Sequence, residues 1–166
     1  MKKLLTTFLL FVAFLVPSFA QRSVEGDFSV LRDAMRVNFT VDFSQADIMG
    51  MNEEEFLEYE PRWASEKPDI VATFPVYANA ITNNSPRLGN YRNEAYTLNL
   101  VVRAVDTRGG YDCDLFLLHG GRTLASATGF YAVGGIFGSK LNLFKDGSKH
   151  TGMAIGFFLR RQLSED

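Results

Sequence analysis

Two tight turns inside one long apolar stretch constrain this chain more than any other feature. Tyr96, Leu98, Leu100 and Val102 alternate with Thr97, Asn99 and Val101, which predicts a strand over residues 96–106 with one side facing a core. Residues 107–110 turn the chain into a second run, 112–119. That run contains Leu115-Phe116-Leu117-Leu118, apolar on both faces, and predicts a central strand. Gly120-Gly121 is a two-residue hairpin signal, and residues 122–131 return. Parallel neighbours need a crossover of about a dozen residues or more, so these short links predict a three-stranded antiparallel meander.

The half before it is more mixed. Residues 24–35 form a lead-in without a clean period. Val37, Phe39, Val41 and Phe43 then alternate with Arg36, Asn38, Thr40 and Asp42, the pattern of a half-buried strand. Residues 44–51 lead out of it. Asn52, followed three positions later by Glu55, predicts a helix start that carries Phe56, Leu57 and Tyr59 before Pro61 stops it. Ile70, Phe74, Ala78 and Ile81 share a helical face, but Pro75 falls inside it, so regular helix is expected from about Phe74. Residues 83–93, with Pro86 and Gly89, read as a polar loop and the segment expected to move most.

Past the meander, Gly134-Gly135-Ile136-Phe137-Gly138 precedes a helix predicted over residues 139–163. Its apolar stripe runs through Leu141, Phe144, Ile155 and Phe158. Ser148, Gly152 and Gly156 recur every fourth residue. In a membrane that spacing pairs helices; in a soluble chain it predicts a helix lying very close to a sheet, with Ala125, Ala127 and Gly129 as the matching small face. The fold expected is α+β in two layers. It has a mixed sheet of about four strands, one N-terminal strand plus the meander, with helices mainly on one face.

The N-terminus has the layout of a signal peptide. Lys2-Lys3 precede the apolar run of residues 4–16, and Ser18-Phe19-Ala20 places small residues before Gln21, predicting cleavage after Ala20. That run is shorter than the roughly 20 residues a membrane-spanning helix needs, so no transmembrane anchor is expected in the mature form. Residues 21–166 are expected to form a single α+β domain, periplasmic or secreted. Losing Lys2 and Lys3 takes the 17 basic residues to 15 against 19 acidic ones, a formal charge of −4. A mildly acidic chain is not expected to bind nucleic acid, and Arg160-Arg161 is the only adjacent basic pair left. Cys113 is the single cysteine, so no internal disulfide forms, and it lies far from where a lipoprotein would be acylated. Its apolar setting predicts a buried thiol.

Motifs that carry chemistry are incomplete. In the segment from Gly134 to Lys140, Ser139 precedes the lysine, the reverse of a phosphate-binding loop, and the dinucleotide spacing of glycines is absent. Asp112 and Asp114 share a strand face, yet two carboxylates fall short of the oxygen set a hard cation takes. His119 and His150 are the only histidines and lie far apart, which is sparse for zinc, and no serine sits in a G-x-S-x-G turn. Glu53, Glu54, Glu55, Glu58 and Glu60 suit the start of a helix electrostatically. Asn38-Phe39-Thr40 matches a glycosylation acceptor but falls inside a strand. No catalytic, cofactor-binding or metal-binding residue is assigned.

The stretch from Val41 to Met51, followed by Glu53-Glu54-Glu55-Phe56, resembles the opening of a group of small exported Gram-negative envelope proteins. The strand pair, the glycine link and the ending Gly156-Phe157-Phe158-Leu159 are similar to that group's second half. Its wider circle includes relatives of the curli secretion lipoprotein. The resemblance implies a compact sheet with helices packed on it and transfers no functional residue. The function expected is a non-enzymatic binding or assembly module whose partner is an envelope protein or a cell-wall component. The alternative is a periplasmic enzyme acting on a small substrate. An exposed apolar patch favours the first, and a deep pocket holding a perturbed histidine or carboxylate favours the second.

Overall fold

The computed structural model describes residues 23–164; the signal-peptide expectation and its cleavage point at Ala20 lie outside them. In chain order the elements are β1 (Ser23–Gly26), a 3-10 turn (Ser29–Leu31), β2 (Arg36–Asp42), β3 (Asp47–Ile48), α1 (Glu53–Tyr59), α2 (Trp63–Thr82), β4 (Arg87–Gly89), β5 (Tyr96–Val105), β6 (Tyr111–His119), β7 (Arg122–Ala132) and α3 (Lys140–Leu163). The short turns do what their length requires: β5, β6 and β7 pair antiparallel. Residues 43–95, with two helices in them, form the crossover that lets β2 lie parallel to β5.

The α+β class stands, but a two-layer body on a sheet of about four strands does not. The sheet has seven strands in the order β1-β7-β6-β5-β2-β4, with β3 continuing along β5 beyond the end of β2. The strands beyond the predicted set, β1, β3 and β4, are four, two and three residues long. Alternation cannot register over so few positions, and their pairing is supplied by partners distant in sequence. The lead-in therefore contains an edge strand, and the polar loop of residues 83–93 contains β4.

Alternate side chains of the central strands form the core: Leu98, Leu100 and Val102 on β5, and Tyr111, Cys113, Leu115 and Leu117 on β6. They meet α2 and α3 through aromatic contacts. The Tyr111 ring lies 5.3 Å from Phe74 and 6.4 Å from Phe144, and Phe144 stacks on Phe56 of α1 at 5.4 Å. β6 is central, as its apolar run implied, yet Phe116 and Leu118 on its other side are only half-buried.

Helix α1 starts as predicted. The Asn52 side chain accepts from the Glu55 N–H at 3.0 Å, and the Glu55 carboxylate accepts from the Asn52 N–H at 2.8 Å. Helix α2 is a correction. It begins at Trp63, well before Phe74, and runs through Pro68 and Pro75. Each proline removes one helix hydrogen bond, but Trp63, Ile70, Phe74 and Ala78 are buried on one face, and that burial holds the helix together. The glycine stripe is a second correction. A β-carbon on Gly152 would overlap the Phe74 carbonyl oxygen, and one on Gly156 would come within 2.6 Å of Ile81 Cβ. The small residues let α3 close on α2, with helix pairing rather than the sheet as their partner.

Candidate docking surface

The residues singled out for chemistry are mostly tied into the scaffold. Asp114 accepts from Arg103 Nε at 2.8 Å and from the Gly129 N–H at 3.1 Å, holding the bulge where β6 and β7 slip register. Asp112 is exposed beside it. Asn38 is buried, donating to Thr97 Oγ1 and accepting from the Tyr91 N–H. Among the acidic cluster, Glu55 caps α1, Glu53 accepts from Trp63 Nε1 and pairs with Lys67, and Glu60 pairs with Arg62 at 3.0 Å. His119 sits at the hairpin with its ring 5.1 Å from Tyr96. Among the described residues no three His, Cys, Asp or Glu side chains converge as a metal site.

Cys113 lies near the start of β6, on its core-facing side, and is fully buried. Burial raises its thiol pKa far above the usual 9.0, with Asp112 and Asp114 adding to the push. We expect it to resist a thiol reagent in native buffer and to label completely in urea; rapid native labelling would contradict the burial. The folded chain keeps a proton that the unfolded chain releases above pH about 9. Stability should therefore fall as pH rises through that value.

The glycine link between β7 and α3 turns out to be a presented loop. Its start is held by His150, whose Nδ1–H donates to the Val133 carbonyl at 2.8 Å. The Gly135 N–H donates to the Arg108 carbonyl at 3.0 Å. Gly134 lies so close to that carbonyl that a β-carbon would overlap it. Gly138 has φ of 123°, a conformation open to glycine. Ser139 then caps α3 by accepting from the Asn142 N–H at 3.4 Å. Asp106 braces the neighbouring turn, accepting from the Arg108 and Gly110 N–H groups and from the Tyr131 hydroxyl.

At the crest of this pinned loop stand Ile136, 84% exposed, and Phe137, 87% exposed. Tyr131 and Val133 are exposed at its base. Nearby, Lys140 Nζ donates to the Tyr59 hydroxyl at 2.9 Å and lies 4.3 Å from that ring's centre. Full burial of an isoleucine or phenylalanine is worth about 1.5–3 kcal/mol. The sequence did carry a signal, two large hydrophobes bracketed by glycines. Matching the glycines to phosphate-binding patterns passes over the residues between them.

A second apolar feature lies at the β4 edge. Pro68, Val71, Ala72, Pro75 and Val76 form one face of α2 and, with Tyr91, line a groove of about 420 Å³. Val76 is 60% exposed. Asn79 closes the floor: its carboxamide donates to the Leu88 carbonyl at 2.8 Å and accepts from the Leu88 N–H at 2.7 Å. That bidentate contact occupies backbone groups an edge strand would offer to another strand. Sequence alone did not reveal this face because a helix starting near Phe74 would omit half of it. Two further hollows are open clefts. Glu94 lines both, one with Arg36 and the other with His119, and its carboxylate pairs with Arg36 at 2.9 Å.

Among the described residues no helix is long and apolar enough to cross a membrane. Comparison with known protein families, with curated proteins and with solved structures finds no match to this chain.

Proposed function

We propose that this chain is an exported, non-enzymatic binding module of the cell envelope that docks on a protein partner through the Ile136–Phe137 tip. The observation that carries this is the exposure of two adjacent large hydrophobes on a loop whose backbone is anchored at both ends. A flexible loop would be free to fold such side chains inward; this one holds them out. Apolar side chains gain most against an apolar protein surface, which favours an envelope protein over a cell-wall polysaccharide as partner. The signal-like N-terminus supplies the address. The enzyme alternative draws no comparable support: Glu94 is ion-paired and the His150 Nδ1 is engaged by the backbone.

A photo-crosslinking amino acid placed at position 137 in cells tests the reading, with exposed Glu25 on β1 as the control position. A discrete protein adduct in the envelope fraction from position 137, and none from position 25, is the expected result. No protein adduct, or a chain retained in the cytoplasm, would overturn it.

A further inference from the structure

We infer that the groove on α2 is the socket for the Ile136–Phe137 tip of a second copy of this chain. The inference rests on the docking role of the tip and names its partner. The two features cannot meet within one molecule. The tip follows Ala132, which is level with Tyr111 and Val105, whereas Leu88 beside the groove pairs with Val37, level with the start of β5. Strand rise puts them about 30 Å apart along the sheet, and the strand order puts them about 19 Å apart across it.

The shapes agree. The side-chain carbons of one isoleucine and one phenylalanine, at no more than the roughly 30 Å³ a water occupies apiece, need about 330 Å³. The groove holds about 420 Å³. Its walls are proline rings, valines and the Tyr91 ring, apolar surfaces that receive an aromatic knob and lose no rotamer freedom at the prolines. With Asn79 saturating the Leu88 backbone, the groove suits inserted side chains rather than an added strand. Charge of both signs stands near each side, with Asp146 already paired with Lys149 at 2.7 Å. Lys140 and Asp146 lie beside the tip, and Asp69 and Arg87 lie beside the groove.

Knob and socket are different surfaces, so the contact is heterologous and repeats from copy to copy as a ring or an open chain. A phenylalanine buries about 150–250 Å², so the tip supplies well under the roughly 800 Å² per partner of a standard interface. Association is therefore weak and rises with concentration.

The test uses the purified exported chain in sedimentation velocity over a concentration series. Wild type should sediment faster as concentration rises, and Phe137→Asp and Val76→Glu should each weaken association at least about tenfold. Mixed in equal amounts, the two variants should form a 1:1 complex and nothing larger, because one retains only the socket and the other only the knob. Circular dichroism checks that both are folded, and Phe137→Ser with Val76→Thr repeats the mixing with milder changes. A monomeric wild type, or a mixture of folded variants that stays monomeric, would overturn the inference. So would Val76 variants that associate normally, or a monomer that floats with phosphatidylglycerol vesicles in a Phe137-dependent way. If position 137 crosslinks to a different envelope protein while the chain stays monomeric, the second-copy assignment falls and the docking role stands.

Discussion

Gly147→Ala should destabilise this protein by roughly 3 kcal/mol or more, the upper end of what overpacking costs. A β-carbon at Gly147 would overlap the Gly109 carbonyl oxygen, and one at Gly109 would overlap the Leu143 carbonyl. The two glycines let α3 lie directly on the β5–β6 turn. Neither side has room to yield, because Phe144 and Ser148 flank the contact fully buried and Gly109 sits at φ of 78°. Helix propensity pulls the other way by about 1 kcal/mol, since alanine is the better helix former. Packing should win. Gly152→Leu and Gly156→Leu, which overpack α3 against α2, should cost about 1–3 kcal/mol each. Urea melts decide the matter, and a Gly147→Ala variant as stable as wild type would mean that α3 can slide away from the turn.

Phe144→Ala should cost about 3–5 kcal/mol, the range for removing a buried phenylalanine. Its ring is the meeting point of the aromatic core, 5.4 Å from Phe56, 6.0 Å from Trp63 and 6.4 Å from Tyr111. Trp63 is the only tryptophan, so its emission reports on the cluster directly and should shift to the red as the cavity loosens. Tyr111→Phe in the same cluster should behave in the opposite way. The Tyr111 hydroxyl is buried with no hydrogen-bond partner among the described residues, and a buried unsatisfied group costs about 1–3 kcal/mol. Its removal should leave stability unchanged or raised. If Tyr111→Phe were strongly destabilising in thermal and urea melts, the hydroxyl would have a partner that this packing does not account for.

The proposed export and the proposed docking role rest on different stretches of the chain. The tip belongs to the fold, whereas the proposed export rests on residues 1–20, which lie outside the described residues. Labelling the exported chain at position 137 therefore tests the two together in the compartment where they have to coincide.

Local chemistry was legible wherever the determining residues are neighbours in sequence. Alternation over residues 36–43 marked β2, which spans Arg36–Asp42, Asn52 with Glu55 marked the start of α1, and two short turns forced the β5-β6-β7 meander. Each depends on contacts within a few residues, where periodicity and capping leave one low-energy solution. The remainder was decided by partners far apart along the chain. β1, β3 and β4 are strands because β7, β5 and β2 present unpaired backbone to them, although their own residues scarcely favour that state. Helix α2 persists through two prolines because Trp63, Ile70, Phe74 and Ala78 are buried against elements that the sequence does not place beside them. The same holds for the glycines at 152 and 156. Their spacing showed that something must come close, but whether a sheet or a helix fills that space depends on the position of α2. Periodicity tells which residues need burial; only the assembled core decides what buries them, and which hydrophobes, such as Ile136 and Phe137, are left outside.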